Sequence, residues 1–368
     1  MELQKTAYLI IISSLIAIIL LFAYLNIRQS SVSAEVEPEK LESCKSLVYN
    51  GEDRIDLLFL ASESDTQRFS DALLNTPPYD ENKDYFNVFF IDDYEPTCED
   101  YKDIAILCNT KENLKEARRC PNDYPIVIKD KPSNIRSSAF GNVISINKNH
   151  ENSVIVHEFG HAFGNLAEEY TPAKLPRGAK NCVSSCDKFE GIADSCSQEC
   201  SQNDLFRSIN AGVMRTLITS DYGQFNIQLL KKLLEKNKPD DASITGQQIA
   251  ESYDCSNQKI VPLEIMQASD GTTKVESTNI ELAGCAPDNA GEGNLCIGDL
   301  CYPSMLFTEA QDISTQSSIE GETFDAPDTT TTFYVNKLSN TETIEISLDE
   351  VSLSKINLAQ AGATACNT

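Results

Sequence analysis

The sequence has little positive charge, little histidine and no tryptophan. Its 368 residues include 30 Lys and Arg against 56 Asp and Glu, which gives a formal net charge of -26. Nucleic acids and anionic membrane surfaces attract positively charged patches, so this balance argues against both as partners. We find no internal repeat and no glycine-rich phosphate-binding loop. Outside the extreme N-terminus, the hydrophobic fraction of 41% is typical of a soluble globular protein that can bury a core.

The N-terminus holds the one long apolar run, Ala7–Ile27, which carries no charged residue over 21 positions. A helix rises about 1.5 Å per residue, so this run is long enough to cross a bilayer core of roughly 30 Å. A cleaved signal peptide ending at Ala34 is the alternative, although its apolar region usually has about 7–15 residues. We therefore predict a single-pass membrane protein whose remainder is extracytoplasmic, or a secreted protein if the segment is cleaved. Residues 1–30 form the anchor or signal, and residues 31–52 a stalk.

Thirteen cysteines are consistent with an oxidising compartment, in which disulfides are the expected state. Cys182 and Cys186 are four residues apart, as are Cys196 and Cys200, so each pair would line one face of a short helix. Antiparallel packing of these helices would pair Cys186 with Cys196 and Cys182 with Cys200. A four-cysteine zinc site is the alternative, but exported thiols are more often oxidised.

From Arg54 onward, short apolar segments that read as buried strands alternate with amphipathic helices. Strands are predicted at Ile55–Ala61, Tyr85–Asp92, Asp103–Asn109, Tyr124–Asp130 and Ser138–Asn147, and helices at Ser64–Leu74, Lys111–Arg119 and Ser220–Pro239. The alternation predicts an α/β domain with a mostly parallel sheet over residues 53–240. Alternating, threonine-rich segments then predict an accessory antiparallel β-sandwich over residues 241–368.

The stretch Val154–Tyr170, VIVHEFGHAFGNLAEEY, holds two of the three histidines in the chain. Residues i and i+4 share a helix face, so His157 and His161 can bind one metal ion. Neutral imidazoles leave the charge of Zn²⁺ uncancelled, which lowers the pKa of a bound water, and Glu158 could accept that water's proton. With so few histidines the pattern is unlikely to arise by chance, on the order of one in a few hundred. We predict one catalytic zinc ion.

The third ligand is predicted to be a carboxylate. Gly164 can take a left-handed conformation and turn the chain back beneath the metal. Three residues after this glycine, where many zincins have a histidine, the sequence has Ala167, and the remaining histidine, His150, precedes the helix. Glu168 and Glu169 follow, and neighbouring side chains in an extended segment point to opposite faces.

We therefore predict Glu168 as the ligand and Glu169 as its supporting neighbour, with Glu169 as the alternative ligand. A later glutamate, Glu190 or Glu199, is a rival assignment that the glycine turn disfavours.

Further residues are candidates for supporting roles. The segment Ala211–Thr216, AGVMRT, is similar to the Met-turn of the metzincins, in which a methionine, here Met214, lies beneath the metal ligands. Tyr170 and Tyr222 could donate a hydrogen bond to an oxyanion, although structural packing is the more common role of a tyrosine. Ser138–Asn147 could be an edge strand that holds an extended peptide substrate, or an internal strand.

The HEFGHAFGNLAEEY block, together with IDLLFLASESDTQRFSDALL and YFNVFFIDDYE upstream, resembles the IgA-peptidase family of zinc metallopeptidases. The similarity covers roughly residues 54–237. It implies a metzincin-like α/β zincin fold, endopeptidase activity on proteins, His157 and His161 as zinc ligands, Glu158 as general base and an acidic ligand from the pair at 168 and 169. Where the family usually has aspartate in the first acidic position, this chain has Glu168, which is one methylene longer.

The sequence thus predicts a membrane-anchored, extracytoplasmic zinc endopeptidase with a protein or peptide substrate and no nucleic-acid partner. One alternative is a non-catalytic adhesion or binding protein that keeps a structural zinc. Another is an enzyme that processes cell-wall material or glycoproteins. Glu158 argues against the binding protein, because a purely structural zinc site has no use for a general base.

Overall fold

The computed structural model describes most of the chain from residue 41 onward. The described residues are 41, 44–239, 252–267, 272–277, 280–289, 291–304, 306–308, 329–337 and 343–358. They contain four α-helices: α1 (Glu63–Leu74), α2 (Lys111–Ala117), α3 (Ser153–Gly164) and α4 (Gln224–Lys236). The strands are β1 (Cys44–Val48), β2 (Ile55–Leu60), β3 (Phe86–Ile91), β4 (Glu99–Tyr101), β5 (Ala105–Leu107), β6 (Tyr124–Lys129), β7 (Ser138–Phe140), β8 (Val143–Asn147), β9 (Ser197–Cys200), β10 (Gln202–Arg207), β11 (Ser252–Tyr253), β12 (Lys259–Gln267), β13 (Thr273–Ser277), β14 (Leu282–Ala283), β15 (Leu295–Ile297), β16 (Leu300–Tyr302), β17 (Leu306–Thr308), β18 (Thr329–Asn336), β19 (Thr343–Leu348) and β20 (Val351–Asn357).

The largest sheet has eight strands in the order β11-β1-β3-β2-β6-β8-β7-β17. Its four central strands pair in parallel, β3 with β2, β2 with β6 and β6 with β8. The outer pairings, which involve β11, β1, β7 and β17, are antiparallel. The sheet is therefore mixed, with a parallel centre and antiparallel borders.

The central strands are apolar on both faces, as strand β2 illustrates. Leu57 and Phe59 belong to the core that the sheet shares with helices α1, α3 and α4, whereas Leu58 and Leu60 face the core that contains helix α2. Successive side chains of a strand point to opposite faces, so a strand covered on both sides must be apolar throughout. Helix α3, which carries both histidines of the H-E-x-x-H pattern, packs on the first of these faces, and its residues Ser153 to Phe163 are all buried.

Beyond helix α4 the described strands belong to three different sheets. Strands β12, β13, β14 and β18 form one four-stranded antiparallel sheet, and β15, β16, β19 and β20 form another. Apolar side chains of both sheets share one core, which includes Leu263, Leu295 and Phe333. Strands β11 and β17, by contrast, join the eight-stranded sheet.

The structure corrects the predicted fold class. The expected architecture was an α/β zincin catalytic domain with an N-terminal transmembrane helix and a C-terminal all-β sandwich-like domain. Instead, about twice as many of the described residues lie in strands as in the four helices named above, and the main sheet is mixed and includes strands from beyond residue 241. Hydrophobic periodicity indicates which segments are strands, but the partner of a strand depends on residues far away in the sequence. The proposed division of the chain at residue 240 stays a prediction.

The predicted membrane-anchored localisation is also corrected. In the part of the chain that the structure describes, no helix has both the length and the apolar character needed to cross a bilayer. The segment Ala7–Ile27, from which the anchor and the alternative signal peptide were predicted, lies outside the described residues. The six disulfides of the described residues are typical of proteins in an oxidising extracellular space.

Candidate metal centre

Helix α3 and the turn after it bring three ligand atoms together. The Nε2 atoms of His157 and His161 lie 3.0 Å apart on one face of the helix. The carboxylate of Glu168 reaches both rings, with Oε1 3.2 Å from His161 Nε2 and Oε2 3.5 Å from His157 Nε2. These three side chains form a group that could hold a metal ion.

Backbone carbonyl groups set the orientation of both imidazoles. His157 Nδ1 lies 2.8 Å from the carbonyl oxygen of Val213, and His161 Nδ1 lies 2.6 Å from that of Leu166. A carbonyl oxygen only accepts, so each Nδ1 carries a proton, and in the neutral imidazole Nε2 then has the lone pair that a metal would bind. Such outer hydrogen bonds are the usual companions of metal-binding histidines.

The turn that returns the chain to the histidines is made by asparagine rather than glycine. Gly164 was expected to be left-handed, but it remains the last helical residue, and Asn165 has φ 46° and ψ 35°. The Asn165 N–H donates to the carbonyl of His161, and the Leu166 N–H donates to that of Gly160. Gly164 instead allows close packing, because a Cβ there would lie 2.8 Å from Leu230 Cδ2.

The two adjacent glutamates have different partners. Glu168 faces the histidines, whereas Glu169 Oε1 accepts hydrogen bonds from Asn226 Nδ2 at 2.8 Å and Asn181 Nδ2 at 3.3 Å. The Glu169 N–H donates to the carbonyl of Met214 at 2.8 Å. Glu168 is therefore the carboxylate that the fold presents to the two imidazoles, and the assignment of the ligand itself stays a prediction.

The charge of the Glu168 carboxylate favours a positive charge, a proton or a metal ion, between the three side chains. Burial opposes protonation of His157, but the nearby Glu168 carboxylate outweighs it and raises the pKa of His157 to about 10. Burial alone would raise the pKa of Glu168, yet the charges of His157 and His161 hold it at about 2. Burial lowers the pKa of His161. Without a metal, the group thus holds a proton where a metal would sit.

Glu158 and Tyr170 lie within electrostatic reach of these ligands. The negative charge of Glu158 contributes to the raised pKa of His157. Burial raises the pKa of Tyr170 well above its usual range, and the charges of Glu168 and Glu158 raise it further. Tyr170 therefore stays protonated and can act as a hydrogen-bond donor beside both carboxylates.

The segment that was compared with a Met-turn does form a turn beside helix α3. The N–H groups of Arg215 and Thr216 both donate to the carbonyl of Gly212. Met214 is buried, and a Cβ at Gly160 would lie only 2.8 Å from its Sδ. Together with the Val213 carbonyl that holds His157, the turn packs against the helix that carries the histidines.

The hydroxyl and the ring of Tyr222 both have partners in the core. Its hydroxyl donates to the backbone carbonyl of Val156 within helix α3, and its ring packs edge-on against Tyr79. A Cβ at Gly160 would lie 2.9 Å from Tyr222 Cε1, so the glycine of the H-E-F-G-H motif makes room for this ring.

The cysteine-rich segment has the nested pairing that its spacing predicted, since Cys182 is bonded to Cys200 and Cys186 to Cys196. Its secondary structure differs from the predicted helical hairpin. Cys186 begins a short 3₁₀ turn, and Cys200 ends strand β9, which pairs with β10. Equal spacing of cysteines is compatible with several backbone conformations once disulfides hold the segment. Cys366 lies outside the described residues.

The rival ligands do not belong to the group of three side chains that could hold a metal ion. Glu190 and Glu199 are exposed side chains, each with a positive φ. His150 Nε2 lies 3.1 Å from the carbonyl oxygen of Ser133, at the N-terminal side of helix α3.

A second acidic group was missed by the sequence analysis. Asp56, Asp123 and Asp288 approach one another closely enough to hold a metal ion in principle. Asp56 and Asp288 line a cavity of about 240 Å³, together with Tyr49 and Tyr253. No spacing could reveal this group, because its members are more than sixty residues apart in the sequence.

All members of the histidine group are buried. His157 and Glu168 are each 1% exposed, and Glu158 and His161 are not exposed at all. A peptide substrate could reach the group only after some covering segment moved.

Comparison with known proteins does not add to these observations. No model of a known protein family matches the chain, and no curated protein matches it either. The resemblance to the IgA-peptidase family stays a prediction that rests on the residues quoted above.

Proposed function

We propose that this chain is a zinc-dependent endopeptidase that works in an oxidising compartment. The observation that carries the proposal is the convergence of His157 Nε2, His161 Nε2 and the Glu168 carboxylate, with Glu158 directly after the first histidine. Two imidazoles and one carboxylate are the ligand set of many catalytic zinc sites. A bound Zn²⁺ would supply Lewis acidity to polarise a peptide carbonyl and lower the pKa of water.

The residues of the chain account for the remaining requirements of peptide hydrolysis. Glu158 would accept a proton from the attacking water and deliver it to the leaving amine. Tyr170, kept protonated by burial, would donate a hydrogen bond to the developing oxyanion. The carbonyls of Val213 and Leu166 would keep the two imidazoles in the tautomer that binds metal.

The test is hydrolysis of casein or a quenched fluorescent peptide library by the purified chain. We expect activity that a chelator abolishes and Zn²⁺ restores. Glu158→Gln, which keeps the shape of the side chain, should bind zinc as the wild type does but hydrolyse at least about 100-fold more slowly. Absence of hydrolysis by the zinc-loaded wild type across the library would refute the proposal.

A non-catalytic binding protein with a structural metal is the second candidate, and the burial of all four site residues favours it. The two candidates differ in the behaviour of the Glu158 variant. A structural site would bind zinc and raise the melting temperature in both proteins, with no hydrolysis by either. An enzyme would lose turnover in the variant while the zinc-dependent rise in melting temperature stayed the same.

A further inference from the structure

The backbone on both sides of the Glu168 Cα is held by two buried side chains. Asn181 Oδ1 accepts a hydrogen bond from the Ala167 N–H at 2.7 Å, and Asn181 Nδ2 donates to the Ala167 carbonyl at 2.8 Å. Ser201 Oγ donates to the carbonyl of Glu168 at 2.7 Å. No regular secondary structure holds residues 165–168, so these side chains take the place of a helix or strand ladder there.

The same asparagine also acts on the neighbouring glutamate. Asn181 Nδ2 donates to Glu169 Oε1 at 3.3 Å, and Asn226 Nδ2, on helix α4, donates to the same oxygen at 2.8 Å. Asn181 and Asn226 thus hold the Glu169 side chain on one side, and the adjacent Glu168 side chain points to the other. That other side is the one on which His157 and His161 lie.

A disulfide connects the two holding residues. Cys182 follows Asn181 directly, Cys200 precedes Ser201 directly, and the bond between these cysteines fixes the separation of their neighbours. Cys182 and Cys200 also pack against Ala167 in a small buried cluster. The bond therefore braces both sides of the segment that carries the carboxylate.

We propose that Asn181 and Ser201, braced by the Cys182–Cys200 disulfide, are positioning residues that hold Glu168 as the third metal ligand. The inference rests on the metal centre of the proposed function but not on catalysis. Loss of either side chain should let the segment sample orientations in which Glu168 leaves the histidines. Partners that orient a ligand typically contribute about 10- to 100-fold to metal affinity.

The experiment measures Zn²⁺ affinity by chelator competition and the visible absorption of the Co²⁺-loaded full chain. Asn181→Ala and Ser201→Ala should each lower Zn²⁺ affinity by about 10- to 100-fold, and should weaken the Co²⁺ bands in the direction that Glu168→Gln does. Asn122→Ala is the matched control, because buried Asn122 likewise donates to backbone carbonyls, those of Ala117 and Cys120, which do not belong to the segment that carries Glu168.

The outcomes separate positioning from general stability. If Asn181→Ala and Asn122→Ala lower the melting temperature alike but only the former changes affinity and the Co²⁺ spectrum, the positioning role is supported. In a Glu168→Gln background, Asn181→Ala should then have no further effect on affinity. Unchanged affinity and spectrum in both Asn181→Ala and Ser201→Ala would overturn the proposal, as would a wild type that binds neither ion. A wild type that binds zinc but hydrolyses no peptide would refute the enzyme and leave this inference standing.

A different feature is the strand at the border of the eight-stranded sheet, beside helix α3. Strand β17 pairs antiparallel with β7, with Phe307 opposite Ala139 and Thr308 opposite Ser138. It also contacts helix α3, which carries the histidines. Without β17, strand β7 would be the border of the eight-stranded sheet, with a row of unpaired backbone groups that an extended peptide can join.

We infer that the segment Leu306–Thr308 occupies the sheet edge at which a peptide substrate would be held, so that the described conformation is a closed, self-inhibited state. The inference rests on the proposed function, on the contact of β17 with helix α3 and on the burial of the site residues that this helix carries. Displacement of β17 would free the edge of β7 and open the approach to helix α3.

The test weakens or locks the β17–β7 pairing in the full chain. Phe307→Pro removes a backbone N–H and should speed zinc loss to a chelator and peptide hydrolysis by about tenfold or more. Lys274→Pro, in the edge strand β13 of another sheet, is the matched control and should change neither rate. A disulfide between Ala139→Cys and Phe307→Cys, which are opposite one another, should slow both rates below the wild type and covers the case in which the proline variant does not fold.

Equal rates of zinc loss in the wild type, the proline variant and the locked variant would overturn the inference. If the rate of zinc loss rises in the proline variant and falls in the locked variant, but no variant hydrolyses peptide, β17 controls access to the metal and the proposed enzyme activity is refuted.

Discussion

His161 Nδ1 donates a hydrogen bond to the carbonyl oxygen of Leu166 at 2.6 Å, so the turn after helix α3 is bonded directly to one of the two histidines. This contact orients the imidazole and places Glu168, two residues further on, beside it. One short segment thereby sets the tautomer of one ligand and the position of another.

We expect Glu168→Gln and Glu169→Gln to affect metal binding very differently. Glu168 faces both imidazoles, so its loss should lower Zn²⁺ affinity by at least about 100-fold. Glu169 is hydrogen-bonded to Asn226 and Asn181, and an amide can keep much of that bonding, so its variant should lose less than about tenfold. Chelator competition measures both affinities. The reverse order would identify Glu169 as the ligand.

Zinc binding at neutral pH should release about one proton per site. The Glu168 carboxylate outweighs burial and raises the pKa of His157 to about 10, so the metal-free protein holds a proton there at pH 7. A metal needs the unprotonated Nε2, so that proton must leave. Calorimetry in buffers of different ionisation enthalpy measures the release. Glu168→Gln should shrink it, and a binding enthalpy that does not depend on the buffer would contradict the prediction.

The two tyrosines should separate into one functional and one structural residue. Tyr170 lies beside the carboxylates, so Tyr170→Phe should lower kcat by about 10- to 100-fold while the melting temperature changes little. The Tyr222 hydroxyl donates to the Val156 carbonyl, so Tyr222→Phe should lower the free energy of unfolding by roughly 1–3 kcal/mol. Its kcat should stay within about twofold of the wild type. Steady-state kinetics and urea unfolding of the pair test this, and an equal loss of kcat in both variants would rule it out.

Gly160→Ala should destabilise the protein although alanine is the better helix former. The new Cβ would lie 2.8 Å from Met214 Sδ and 2.9 Å from Tyr222 Cε1, which is closer than carbon and sulfur atoms pack. Overpacking of a buried site costs typically about 1–3 kcal/mol in the free energy of unfolding. Combining it with Met214→Ala should cost less than the sum of the single changes, because the smaller side chain makes room. Strict additivity in urea unfolding would show that the two residues do not touch.

The second acidic group should make the protein less stable as the pH rises. Burial raises the pKa of Asp56 to about 8 and raises that of Asp123 as well. A carboxyl whose folded pKa is raised contributes stability below its unfolded pKa of about 4 and loses that contribution as the pH rises through the folded value. The free energy of unfolding in the presence of a chelator should therefore fall between pH 5 and pH 8. Asp56→Asn should flatten this dependence, whereas Asp71→Asn, on the exposed side of α1, should not.

Local patterns in the sequence predicted much of the site and several elements of the fold. Helix α3 and the facing positions of His157 and His161 follow from helical periodicity, and the nested cysteine pairs follow from their spacing. Strand β2 and helix α4 lie within the segments expected for them. The predicted strand Ser138–Asn147 is instead two antiparallel strands, because Gly141, with φ 60°, reverses the chain within it.

What the sequence by itself determined is the chemistry available over a few helical turns: two imidazoles on one face, a carboxylate between them and an acidic pair beyond a turn. Only the tertiary structure decided which glutamate faces the histidines, because Asn181, Ser201, Asn226 and Met214 come from other parts of the chain to hold that segment. It also decided the mixed sheet, since β11 and β17 pair with strands more than a hundred residues earlier. Spacing governs neighbours within a helix or strand, whereas contacts between distant segments depend on which surfaces the folded chain buries together.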